Sequence, residues 1–162
     1  MNGYLFRPAQ AYELEAVEAL YKAASENPFS VWNQEYPTIE DARHDLETGN
    51  LFVLSNGMEI VGTLSIVPER EMDALPCWTL RDGTERELAR ITVSRNYQGK
   101  GLAAVMVEQI LAKLKESGCH VVRLSAAVSN LPAWKTYQKL GFQILGEDDL
   151  YGSRYYLMEK LL

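Results

Sequence analysis

Val93-Ser94-Arg95-Asn96-Tyr97-Gln98-Gly99-Lys100-Gly101-Leu102-Ala103 decides how the chain is to be read. Behind it, Arg86–Val93 is a strand-like run. Ahead of it, Leu102, Ala103, Met106, Val107, Ile110, Leu111 and Leu114 recur at helical spacing, while Glu108, Lys113 and Lys115 fall on the other side. A glycine-rich turn therefore joins a strand to a long helix. Its two glycines let the backbone approach a ligand closely, with N–H groups converging. The first helical turn adds unpaired donors and the positive end of the helix dipole. A pyrophosphate suits such a place, and Ala103, small on the inner side, lets the helix sit close.

The kind of phosphate ligand is narrowed by what the turn lacks. A P-loop would carry Ser or Thr after its lysine, whereas Lys100 follows Gly99 directly and precedes Gly101. The letters of a dinucleotide fingerprint are present as Gly99-x-Gly101-x-x-Ala104. However, five residues separate Gly99 from Val93, and the next strand, His120–Ala126, ends without the acidic residue that would hold a ribose.

Outward from the turn, the chain alternates strands and helices without repeats or linkers. Tyr4–Arg7 reads as an opening strand, and Leu14, Val17, Leu20, Tyr21 and Ala24 mark one helix face, ended by Asn27-Pro28. Thr38, with Asp41 three residues on, caps a second helix that stops before Gly49. Leu51–Ser55 and Glu59–Val67 form a hairpin about Asn56-Gly57, two residues that tolerate positive φ. Pro68–Gly83 is a long polar connection, a length usually reserved for function. Unbroken alternation in Arg86–Val93 would set Glu87, Ala89, Ile91 and Val93 on one face, with Glu85 alongside. Downstream come a strand at His120–Ala126, a helix at Leu131–Leu140 stopped by Gly141, and strands at Phe142–Leu145 and Arg154–Lys160 around a turn with Asp148, Asp149 and Gly152. The predicted class is α/β: a mixed sheet, β-α-α-β-β-β-α-β-α-β-β, with helices on both faces.

The 162 residues suit a single domain over 1–162, and 47% hydrophobic content supplies a core. No apolar run approaches the ~18 residues of a membrane span, and the N-terminus lacks the pattern of a signal peptide. Cys77 and Cys119 read as reduced, packed thiols, so a cytoplasmic location is expected. Acidic residues outnumber basic ones, 22 to 16, for a net charge of −6. That balance excludes a nucleic-acid partner bound through phosphates. His44 and His120 have no companions at metal-ligand spacing, so no metal site is expected.

Gln98-Gly99-Lys100-Gly101-Leu102-Ala103 resembles the Q/R-x-x-G-x-G/A pattern of the GNAT superfamily of N-acetyltransferases. Asn130-Leu131-Pro132-Ala133-Trp134-Lys135-Thr136-Tyr137-Gln138-Lys139-Leu140-Gly141-Phe142 is similar to its second signature, N-x-x-A-x-x-x-Y-x-x-x-G-F. The two occur in the family's order with one strand between them. The element order matches along essentially the whole chain, while the motifs cover Glu87 to Phe142.

The resemblance implies an acetyl-CoA-dependent transfer of an acetyl group to a primary amine. It assigns the pyrophosphate to the amides of Gln98, Gly99, Lys100, Gly101, Leu102 and Ala103. Backbone groups near Ile91, Thr92 and Val93 would meet the pantetheine arm and the acetyl carbonyl, with Asn130 and Ala133 on the far side. Tyr137 matches the tyrosine that protonates the departing thiolate. Each residue also has a plainer reading: Tyr137 as a core tyrosine, Asn130 as a helix N-cap, Lys100 as a solvated charge. Glu87 occupies the position of a glutamate that deprotonates the amine, with Glu85 and ordered water as alternatives. The acceptor pocket would come from the loop between the first two helices and from Pro68–Gly83, with Trp32, Tyr36, Trp78 and Tyr151 as aromatics suited to cations. Tyr155-Tyr156-Leu157-Met158 would allow a homodimer through the last strand. Two other classes compete: an acyl-CoA-binding module without turnover, opposed by the presence of Tyr137, and a nucleotide-dependent oxidoreductase resting on the glycines alone.

Overall fold

The computed structural model describes residues 3–67 and 71–162. In chain order these contain β1 (Leu5–Pro8), α1 (Leu14–Ser25), α2 (Ile39–Glu47), β2 (Leu51–Ser55), β3 (Ile60–Val67), β4 (Arg86–Val93), α3 (Leu102–Glu116), β5 (Val121–Ala127), α4 (Leu131–Lys139), β6 (Gln143–Leu150) and β7 (Ser153–Leu161). That is the predicted succession. The strands form one mixed sheet in the order β1-β2-β3-β4-β5-β7-β6, parallel only between β4 and β5.

The period-2 alternation of the strands explains how both faces are covered. On one face, Phe52, Leu54, Leu64, Ile66, Leu88, Val122 and Leu124 pack with the α3 stripe of Leu102, Met106, Val107, Ile110, Leu111 and Leu114 and with Tyr137 and Phe142. On the other, Leu51 and Val53 meet Val17 and Tyr21 of α1 and Ala42 of α2. Each such aliphatic side chain contributes on the order of 1.5–3 kcal/mol by leaving water. Ala103 is only half-buried and stands beside the stripe rather than in it. Thr38 and Asp41 form the expected reciprocal cap of α2. At the hairpin tip, Asn56 Oδ1 accepts from the Met58 and Glu59 amides, and Gly57 has a φ of 92°. Among the described residues no helix is long and apolar enough to cross a membrane.

Three expectations need correction. First, β6 and β7 are longer than predicted: Asp148 and Asp149 lie within β6, and the turn is Tyr151-Gly152. Pairing decides this against low strand propensity, since Asp149 faces Arg154 across the ladder and Arg154 also reaches Glu147 at 3.5 Å. Second, Leu157 and Met158 are buried within this chain, on a strand flanked by β5 and β6. The free sheet edge on that side is β6, so Tyr155–Met158 is not an exposed pairing surface. Third, Trp78, expected among the aromatics of an acceptor pocket, is packed inside the connection before β4. The first residues of that connection, 68–70, lie outside the described residues. Beyond them, Trp78 is buried with Met72 and Leu157, and its Nε1 donates to the Met72 carbonyl at 2.8 Å.

Candidate functional site

The site begins where the sheet comes apart. β4 and β5 are paired at Arg86↔Val122 and Glu87↔Arg123, and no further register joins them. The cause lies in β4. Against β3, Thr63 pairs with Thr92 and Ser65 with Ala89, so β4 spends three steps where β3 spends two. This β-bulge puts Arg90 at a φ of 52° and breaks the expected alternation. Glu87 leaves on the α1/α2 face, whereas Ile91 and Val93 pack with the α3-side core. Past the bulge, the β5-facing edge of Ile91, Thr92 and Val93 carries no ladder.

The open edge runs into the glycine turn. Gln98 closes the end of β4, its Nε2 donating to the Val93 carbonyl at 3.2 Å. Gly99 and Gly101 have φ values of 79° and 75°, and Gly101 is the N-cap of α3. A side chain at either would meet open space, so it is the backbone conformation that calls for glycine. No acidic residue lies in the first turn of α3, leaving its dipole unopposed. Lys100 is exposed, with its Nζ 5.9 Å from the Tyr97 ring centre, and Asn56 Nδ2 donates to the Tyr97 hydroxyl at 2.8 Å. A cavity of about 260 Å³ lies between this turn, at Val93 and Gln98, and the end of α1 at Ala24, Asn27 and Pro28.

The loop after α1 reaches both sides of the gap. Glu26 is paired with Arg95 at 3.1 Å, and Ser129 Oγ, beyond β5, donates to the Phe29 carbonyl at 3.4 Å. On the α4 side, Asn130 caps the helix, its Oδ1 accepting from the Ala133 amide at 3.4 Å. Tyr137 is buried against Phe142, ring centres 6.3 Å apart. Burial pushes its hydroxyl pKa well up, so the phenol stays protonated.

Glu87 is 3% exposed, and Glu85 accepts from the Gly83 amide at 2.9 Å. Both line a second cavity, of about 360 Å³, together with Asp73, Arg81 and Arg123. The aromatics divide. Trp78 is buried and serves packing, whereas Trp32 is half-buried in the loop between α1 and α2 and edge-on to Tyr21. Tyr151 is half exposed at the β6–β7 turn, and the Tyr36 hydroxyl accepts from Arg90 Nη1 at 2.9 Å. Sequence reasoning missed Arg90 and Asp45, which meet through two hydrogen bonds of 2.9 and 2.8 Å. No local motif links residues 45 apart.

Comparison with known proteins places this geometry. The family model described as the acetyltransferase (GNAT) family matches residues 17–142. A spermine/spermidine N(1)-acetyltransferase of Bacillus subtilis is 36% identical over 73 residues, 44% of this chain and 48% of that protein. The chain spans less than half the length of the first curated relatives it matches. Among solved structures, an acetyltransferase of the same family from Streptococcus agalactiae superposes with a TM-score of 0.81 at 20% identity, covering 99% of this chain and 96% of that one. Salmonella typhimurium yncA, solved with its cofactor acetyl-CoA, gives 0.75 at 18% identity over 98% and 93%. At those identities the structural likeness speaks for the fold. With the family model spanning both the splayed strands and the glycine turn, the chain belongs to the acetyltransferase (GNAT) family.

Proposed function

We propose that the protein is an acetyl-CoA-dependent N-acetyltransferase that acylates a primary amine by direct attack in a ternary complex. The observation that carries this is the continuity of the open β4 edge with the glycine turn. Together they offer a strand-like edge for an extended arm and, at its end, an anion site. The residues fit the cosubstrate: two positive-φ glycines with open space above them, an unopposed helix dipole, and a lysine beside them.

Acetyl-CoA supplies an activated thioester; everything else falls to the protein. Amides of Gln98, Gly99, Lys100, Gly101, Leu102 and Ala103 hold the pyrophosphate. The backbone of Ile91, Thr92 and Val93 pairs with the pantetheine arm as a strand would. Asn130 and Ala133 line the opposite side. Glu87, directly or through water, takes the proton of the attacking amine, and Glu85 is its nearest alternative. As the N–C bond forms and the C–S bond breaks, Tyr137 donates its proton to the leaving sulfur. Glu87 and Tyr137 approach from opposite faces of the sheet, so the two proton transfers are kept apart. The acceptor enters from the α1/α2 side, and a cytoplasmic location fits the cosubstrate.

The test is thermal unfolding with CoA, acetyl-CoA and NAD, followed by thiol release over a panel of amines that includes spermidine and a peptide N-terminus. Stabilisation by both CoA species and not by NAD supports the reading. No shift with either CoA species overturns it.

A further inference from the structure

We propose that Arg90, Asp45 and Tyr36 form a positioning unit that holds the β4 bulge and so aims the open edge of Ile91–Val93 at the acyl group. The inference rests on the function proposed above, but the clamp itself is independent of it.

Arg90 occupies a left-handed conformation that glycine takes freely and that costs a residue with a Cβ on the order of 1–2 kcal/mol. What the arginine adds is its side chain. Nε donates to Asp45 Oδ2 at 2.9 Å, Nη2 to Oδ1 at 2.8 Å, and Nη1 to the Tyr36 hydroxyl at 2.9 Å. Asp45 Oδ2 also accepts from Ser65 Oγ at 2.6 Å. The pair is buried, with side-chain exposures of 9% and 1%. Burial opposes the guanidinium charge, and Tyr36 and Asp45 outweigh it. Such a fork-to-carboxylate pair fixes direction as well as distance, which a lysine does not.

The four partners come from the places that define the site. Ser65 is the β3 residue at the edge of the bulge, Asp45 belongs to α2, and Tyr36 lies in the loop between α1 and α2. Arg90 sits between Glu87 and Ile91, the candidate base and the first residue of the open edge. A shift of the bulge would therefore turn the Ile91–Val93 edge, while the base of the glycine turn is held separately by the Ser94 amide, which donates to the Val61 carbonyl at 2.7 Å. Position of the acyl group and retention of the pyrophosphate are thus held by separate devices.

The experiment compares wild type with Arg90→Gly, Arg90→Lys and Tyr36→Phe. Arg90→Gly permits the bulge but does not grip it; Arg90→Lys keeps the charge and loses the fork. Amide hydrogen exchange is followed over 86–95, and CoA and acetyl-CoA are titrated calorimetrically. The expected result for both Arg90 variants is faster exchange confined to 86–95, with CoA affinity kept. Acetyl-CoA affinity should fall relative to CoA by about fivefold, the worth of one hydrogen bond. Tyr36→Phe should move both readings the same way, and it decides the matter where the arginine variants do not fold. Unchanged exchange and an unchanged affinity ratio would overturn the clamp. So would exchange that rises everywhere with equal loss of both ligands, which marks a packing role only. Failure of wild type to bind either CoA species would instead overturn the proposed function, and the exchange comparison would still judge the clamp.

Discussion

Glu87 on β4 faces Arg123 on β5 at the last step where the two parallel strands are paired. Both are buried, and their side chains leave the sheet on one face. Arg123 is in turn committed elsewhere: Nη1 donates to Asp73 at 2.9 Å, Nη2 to the Leu80 carbonyl at 2.9 Å, and the guanidinium lies 4.9 Å from the Trp78 ring centre. The connection before β4 thereby pins the root of the gap. The bulge at Arg90 then lets the strands part. A pinned root below a splayed edge gives a cleft whose floor is fixed, as the proposed transfer between two bound partners requires.

That placement sets Glu87, the proposed base, at the last paired step below the gap. Glu87→Gln keeps size and removes the proton acceptor, so kcat with an amine acceptor should fall on the order of 10²-fold. CoA affinity should be kept, because the glycine turn lies at the other end of β4. Steady-state kinetics beside calorimetry check this; full turnover in the variant would pass the role to Glu85 or water.

At the glycine turn, Gly101→Glu forces a residue with a Cβ to a φ of 75° and sets a negative charge at the start of α3. Strain and repulsion act together, and the CoA dissociation constant should rise on the order of 10²-fold or more. Gly101→Ala carries the strain alone and should lose about tenfold. Calorimetric titration of both separates the two effects; unchanged CoA affinity in the glutamate variant would remove the turn as the phosphate site.

Tyr137→Phe deletes one oxygen from a buried ring that keeps its contact with Phe142. Thermal stability and CoA affinity should be preserved while kcat drops on the order of 10²-fold. Because burial raises the phenol pKa, the wild-type rate should show no loss from Tyr137 ionisation up to pH 10. Full activity of the variant would leave Tyr137 a core residue.

How much of this was legible beforehand follows from range. The helix stripe at Leu102–Leu114, the Thr38/Asp41 cap and the Asn56-Gly57 turn are local patterns, and they stand where the residues placed them. The glycine turn between β4 and α3 was legible for the same reason. The β4 bulge was not, since it is set by a two-against-three mismatch with β3 and by a side chain that pairs with Asp45 on another element. Trp78 looked like an acceptor aromatic because nothing near it in sequence announces that Leu157 and Arg123 will cover it. Asp148 and Asp149 looked like a turn for want of their cross-strand partners.

The last prediction concerns stability against pH. Glu13, 5% exposed, accepts from both terminal nitrogens of Arg7 at 2.8 and 2.7 Å and from the Gln10 amide at 2.8 Å. The Arg7 hydrogen bonds chiefly hold its carboxyl below the usual carboxylate range, against the opposing effect of burial. A lowered pKa means that the unfolded chain binds the proton more readily than the folded one. The stabilisation is therefore complete above the ordinary glutamate pKa of about 4.3 and is lost as pH falls through the lower folded value. Glu13→Gln should cost about 2 kcal/mol at pH 7. Its stability, measured by urea unfolding from pH 6 downward, should fall less steeply than that of wild type. Parallel curves for the two proteins would show that Glu13 carries no part of the acid sensitivity.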